Sequence, residues 1–309
     1  MCIRDRALEP SLTSPTGSES PYGVPDWRPL VLGFNTRVTP WDRAETRWAV
    51  NHSIDRDELL RVGELGRGQV AALPFPAFPA FETTVADLTA TPDLPVVGSH
   101  DAGRSDDLFA GQGYVRAMDG RWVRDGEPLS LSIVTSPAHA EVAAVLVAQL
   151  RRAGITVTVE TPPEAASRIR QGLAVAWLWP LAGGVRDPHL TLDRYHGRHV
   201  RPTGEATVSP ARWADAGFDA AVDRLRALPP ESAEARREVV AAMAIWLAAL
   251  PEIPLLQTFN RIPLGTRYWV GWPGAAGAAH DPASWRATFL PSLTALRPAP
   301  PTGEGDPAG

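Results

Sequence analysis

Hydrophobic and polar positions follow two periods along this chain. Leu30–Phe34 is a short apolar run, the length of a strand. Trp41, Ala44 and Trp48 then recur at i, i+3 and i+7, the stripe of a helix that lays one face on a core. A second helix start follows at once. Asp55 is placed to cap it, Glu58 stands three residues on as a capping-box partner, and Ile54 and Leu59 form a hydrophobic staple. His52 and its neighbouring carboxylates are therefore read as structural, because no second acid or base sits where it would face His52 on the same helical surface. Residues 71–98 hold five prolines, at 74, 76, 79, 92 and 95, which predicts a mostly irregular loop.

The clearest unit begins at Pro128. Residues 129–136, LSLSIVTS, alternate like a strand, and residues 140–154 have Val142, Leu146, Gln149 and Ala153 at helical spacing with Gly154 as the stop. Residues 155–160, ITVTVE, give a second strand. Such a β-α-β unit predicts parallel strands joined by a right-handed crossover. A short helix at 163–171 leads into LAVAWLWP, residues 173–180, an apolar run suited to a strand buried on both faces. Residues 218–228 and 232–250 read as helices and 251–259 as a returning strand. The fold class is α/β. No repeat of fixed period appears.

Composition narrows the function. The chain has 309 residues, 44% of them hydrophobic, enough for a sizeable core. A net charge of -5 without a basic stripe argues against a nucleic-acid partner. All 30 cationic residues are Arg, which reads as a GC-rich coding bias, since no local physical demand excludes Lys everywhere. The single cysteine, Cys2, allows no disulfide within one chain. No run of 18 apolar residues is present to span a membrane, and MCIRDRALEP lacks the pattern of a secretory signal. Residues 1–26, rich in Ser, Pro and Gly over 10–26, and residues 298–309 are expected to be disordered tails. A hydrolase would call for a Gly-x-Ser-x-Gly elbow or an asymmetric pair of carboxylates, and neither stands out. A phosphate loop would need a Lys. Catalytic residues are therefore not assigned, and the chain is not expected to be an enzyme or to carry a cofactor.

Several segments, taken in order, carry a resemblance. FNT with PWDRAETRWAVNHSIDRDELL, GEPLSLSIVTS with VAQLRRAGITVTVE, and RWADAGFDAAVDRL with LPEIPLLQ are similar to segments of the extracytoplasmic solute-binding proteins of ABC importers, in the family that carries peptides, nickel and oligosaccharides. None of these motifs is specific alone; their order and spacing are. The resemblance covers residues 34–298 and implies a periplasmic-binding-protein-like lobe with a mixed sheet flanked by helices, at 27–261. It further implies a crossover segment at 262–297, returning towards a first lobe and an export signal that family members carry ahead of the FNT-like segment. It implies a monomeric receptor outside the cytoplasm that captures an oligosaccharide or oligopeptide for a membrane permease. A protein-interaction module without small-ligand binding is the alternative.

Trp177 and Trp179, at i and i+2, share one face of their strand. They pack a core face, or they offer indole faces where the strand opens into a cleft. The loop from Asp187 to Glu205 carries His189, His196 and His199 with Arg194, Tyr195 and Arg201. No His-x3-His pair and no thiolate supports a metal site there. The loop is a solvated cleft edge, or it supplies Arg194, Tyr195 and Arg201 as planar donors and a stacking ring. Trp269 and Trp272 anchor the crossover or line the cleft. In peptide binders of the family an acid a few positions after a tryptophan like Trp177 holds the amino terminus; here Leu178, Trp179 and Pro180 follow, with Asp187 the nearest carboxylate along the chain. That favours an oligosaccharide over a peptide.

Overall fold

A computed structural model describes residues 12–14, 23–260, 262–272 and 290–300. They fall into two compact units, one made of residues 27–258 and the other of residues 1–26 and 259–309. Cys2 and most of the expected tails lie outside the described residues, as do 273–289 of the crossover segment.

In the larger unit, apolar runs form a mixed sheet. Its strand order is Gly68–Val70, Glu252–Asn260, Leu30–Phe34, Ala176–Pro180, Ser130–Val134 and Thr156–Glu160. The last three are parallel, as the β-α-β pattern requires, with the Ala140–Arg152 helix as the crossover between Ser130–Val134 and Thr156–Glu160. Leu30–Phe34 runs antiparallel to both of its neighbours. Val142, Leu146 and Leu150 of the crossover helix are fully buried and pack in one cluster with Leu32, Phe34, Ile133, Leu178 and Ile253 of the sheet. Helices Ala216–Arg226 and Ala233–Ala249 add Phe218, Val222, Met243 and Trp246 to it.

Local caps behave as the chain pattern predicts, with one substitution. Asp55 accepts from the Glu58 amide at 2.9 Å, and Ile54 and Leu59 are both fully buried. Glu58 does not reach back to complete a capping box. Its carboxylate takes Gln149 and Arg152 instead, and the Asp55 amide donates to Gln149 Oε1 at 3.0 Å. Gln149 thus ties the crossover helix to the start of the second helix. His52 lies at the end of Ala44–His52 with Nδ1 3.2 Å from the Ser99 carbonyl, a structural role.

Residues 71–98 run mostly as irregular loop, as expected, and in addition hold a 3₁₀ turn at Pro79–Phe81 and a helix at Glu82–Ala90. The prolines bracket residues 80–91 without entering them, and Pro79 sits where a missing N–H costs nothing. The N-terminal segment is also not wholly irregular. Leu12–Thr13 pairs with Leu264–Gly265, and Val24–Pro25 with Phe259–Asn260, within the smaller unit. Strand edges there supply backbone partners that polar composition alone does not reveal.

Candidate functional site

One row of residues runs across four strands of the sheet. Val134 is in register with Trp177, Trp177 with Gly33, and Gly33 with Glu252. Gly33 makes the row work. A Cβ there would stand 2.2 Å from Trp177 Nε1, so only glycine leaves room for the indole to lie across the middle strand. The indole N–H then donates to Glu252 Oε1 at 3.3 Å. The other oxygen, Oε2, accepts from the Tyr195 hydroxyl at 2.5 Å. Tyr195 stands edge-on to Trp246, ring centroids 5.6 Å apart. Glu252 is 2% exposed, and burial pushes its carboxyl above the usual carboxylate range against the opposing pull of Arg194, Tyr195 and Trp177. Burial and the Glu252 charge likewise raise the Tyr195 phenol well above its ordinary value.

Above this row lies a cavity of about 200 Å³. The Trp177 and Trp179 side chains, Arg194 and Glu252 contribute to its wall, with Leu181 and Ala182 following the carboxyl end of the Ala176–Pro180 strand and Val208 opposite in the chain. Trp177 is itself 1% exposed and clusters with Val134, Ala165, Ile169 and Ala211. Trp179 is half-buried and stands edge-on to His139 at 6.5 Å. Arg194 Nε is buried without a hydrogen-bond partner among the described residues.

The wall at 202–210 is held by a buried arginine. Arg212 lies against Gly172, where a Cβ would meet its Nε at 2.3 Å, and donates to the carbonyls of Pro202 and Glu205 at 3.2 and 2.9 Å. Gly172 has φ +71°, a conformation a side chain would strain. Thr207 adds a hydroxyl bond to the His199 carbonyl. The loop is further tied to the end of the Ala165–Arg170 helix, where the Gly204 and Thr207 amides donate to the Gln171 and Arg170 carbonyls at 2.8 and 3.0 Å.

The other predicted site residues go elsewhere. Tyr195 is 3% exposed and offers no free ring; it positions Glu252. Arg201 is exposed and donates to the Arg198 and Val200 carbonyls at 2.8 Å, outside the cavity wall. Trp272 belongs to the smaller unit, where its N–H donates to the Gly265 carbonyl at 2.7 Å and its ring packs on Ile262 and Leu264. Asp187 caps the Pro188–Leu192 helix by accepting from the His189 amide. The histidines take carboxylate neighbours: His199 Nε2 is 3.0 Å from Asp193, and His196 lies 3.5 and 3.3 Å from Asp219 and Asp223 of the Ala216–Arg226 helix. Among the described residues, no group of three or more His, Cys, Asp or Glu is arranged to hold a metal ion.

Glu252 is the residue the chain pattern did not single out. Its signal was present, a lone acid in the apolar run PEIPLLQ, but its partner Trp177 lies 75 residues away. A larger groove, about 470 Å³, is lined by Asp55, Glu58, Asp106, Arg116 and Arg152. Two ion pairs cross it, Arg152 with Glu58 and Arg116 with Asp106, at partly exposed side chains of the kind that contribute little.

Comparison with known sequences decides the family. The profile of the bacterial extracellular solute-binding proteins, family 5 Middle, matches residues 6–199. The chain belongs to this family. No curated protein matches this solute-binding chain. Solved structures share its fold. A periplasmic oligopeptide-binding protein of an ABC transporter from Thermotoga maritima, with mannohexaose bound, superposes with TM-score 0.77 at 17% identity, covering 93% of the family 5 chain and 55% of that protein. AppA, the oligopeptide-binding protein of Bacillus subtilis in complex with a nonapeptide, gives 0.69 at 15% identity, with 94% and 53% covered. NikZ of Campylobacter jejuni, in complex with Ni(L-His), gives 0.68 at 16% identity, with 88% and 52% covered. The family 5 chain therefore spans about half the length of these structures. Its mixed sheet flanked by helices is the fold they share.

Proposed function

We propose that this chain is part of the substrate-binding component of an ABC importer, working outside the cytoplasm as a monomer. It captures an oligosaccharide or oligopeptide and delivers it to a membrane permease. The observation that carries the reading is the cavity at the carboxyl end of the Ala176–Pro180 strand, where Trp177, Trp179 and Arg194 converge. Ligands of open α/β sheets favour that end of the strands. Apolar walls with a few placed polar groups are the usual make-up of a small-ligand site. Family membership gives the same direction.

Of the two ligand classes the oligosaccharide is favoured. A peptide brings an ammonium group into the cleft, which is costly without a free carboxylate. Among the described residues Glu252 is the one acid in the cavity wall, and both of its oxygens already accept bonds, from Trp177 and Tyr195. A sugar ring instead offers apolar faces to Trp179 and hydroxyls to Arg194. Titration calorimetry of the full-length protein with gluco- and manno-oligosaccharides and with short peptides tests this. Sugar heat is expected. Peptide heat alone reverses the preference, and no heat from either class supports a protein-interaction module.

A further inference from the structure

The charges around the cavity do not balance. Two guanidinium groups, Arg170 and Arg194, stand in the wall against one carboxylate, Glu252. That carboxylate is already used: its two oxygens accept from the Trp177 indole and the Tyr195 hydroxyl, and it is 2% exposed. Arg194 is in the opposite condition. Its Nε is buried with no hydrogen-bond partner among the described residues, and its charge acts on Glu252 from a distance without hydrogen-bonding to it. A buried donor of this kind is costly until something accepts from it.

We propose that the cavity receives a carboxylate-bearing group of the ligand and that Arg194 is the residue that binds it. This rests on the cavity being the ligand site. A guanidinium presents its donors in a fork that matches two carboxylate oxygens, and such charged, paired bonds are about twice as strong as neutral ones. Apolar wall residues, Val31, Ile169, Trp179 and Val208 among them, lower the local dielectric and so strengthen the attraction. Both Glu252 oxygens already accept hydrogen bonds, from Trp177 and Tyr195, so the carboxylate is held away from Arg194 by bonds of its own. The group bound is a carboxylate next to an apolar surface. A uronic acid of an oligosaccharide has that chemistry, and so does the carboxylate of a peptide.

The test compares each acid with its neutral twin on the full-length protein by titration calorimetry. The probes are trigalacturonate against its methyl ester, and trialanine against trialanine amide. A charged hydrogen bond of this kind predicts roughly tenfold or greater preference for the acid. Arg194→Gln should erase that preference, lowering affinity for the acid to that for its neutral twin, and Arg194→Lys should keep part of it. Preference within the sugar pair identifies a uronate, and within the peptide pair a peptide carboxylate. Equal binding of acid and neutral twin overturns the proposal and leaves the solute-binding reading intact. An acid preference that survives Arg194→Gln also overturns it. Binding of none of the four probes, nor of neutral oligosaccharides, overturns both. Thermal melts check that the variants fold, and the comparison on the unaltered protein decides the matter if they do not.

Discussion

Ala176 and Leu178 point to one side of the central sheet, Trp177 and Trp179 to the other, and the two sides are built to different rules. On the first side Ala176 and Leu178 meet Phe34 and Leu32 across the strand and close over the helix residues Val142, Leu146 and Trp246, all of them fully buried. Nothing polar from the strands intrudes. On the second side the matching positions hold Val31 and Gly33, and the row ends on a buried carboxylate. Its apolar cluster is small: Val134, Ala165, Ile169, Ala174, Trp177 and Ala211. A cavity remains between it and the loop at 202–210. A strand that is apolar throughout thus serves two ends. One face supplies stability through dense packing, and the other gives up packing density for a space with placed donors.

The largest expected effect tests the sealed side. Leu178 is fully buried and its neighbours cannot collapse onto a truncated side chain without moving helices, so Leu178→Ala should cost about 2–5 kcal/mol in urea unfolding. A loss below about 1 kcal/mol would mean that this side is as loosely packed as the other.

Gly33→Ala comes next and reaches the opposite face. The added Cβ would stand 2.2 Å from Trp177 Nε1. The indole must swing aside, which overpacks the site by about 1–3 kcal/mol and breaks the bond to Glu252. Loss of ligand heat should accompany it. A variant of unchanged stability that still binds would remove the glycine from the account of the site.

Trp179→Ala should separate the two roles. The side chain is half-buried and lines the cavity, so the stability loss should be about 1 kcal/mol, smaller than for Leu178→Ala, while ligand affinity falls by roughly tenfold. Unfolding with a large stability loss would instead place Trp179 with the core residues.

What the chain pattern shows, and what it hides, follows the same division. The β-α-β unit and the Asp55 cap are local: periodicity and neighbours within four residues decide them. The apolar run of residues 173–180 is equally legible, although only Ala176–Pro180 forms strand, and its alternation places Trp177 and Trp179 on one face. Their different fates were not legible. Whether an indole is buried or offered depends on Gly33 and Glu252, whose register with Trp177 is set by strand order and not by spacing along the chain. Spacing leaves Tyr195 either on a solvated cleft edge or as a stacking ring for ligand, yet its hydroxyl finds Glu252 and its ring finds Trp246. Arg201 and Trp272 spend their donors on nearby carbonyls, a choice that residue type does not reveal.

The smallest effect is a pH dependence, and it isolates the carboxylate. In the folded chain burial holds the Glu252 carboxyl above its ordinary value of 4.5, so the folded state keeps a proton that the unfolded chain releases first. Over that window the unfolded state binds fewer protons, and stability falls as pH rises from near 4.5 through the raised folded value; above it the penalty is constant. Glu252→Gln removes the titrating group and keeps an acceptor for the Trp177 or Tyr195 donor. The stability of this variant relative to the unaltered protein should therefore improve as pH rises across the window and level off beyond it. Urea unfolding of both proteins in steps from pH 4 to pH 8 reads the difference. A difference that is flat with pH would mean that Arg194 holds Glu252 ionised to its ordinary extent, and that the second side of the sheet carries a paired charge after all.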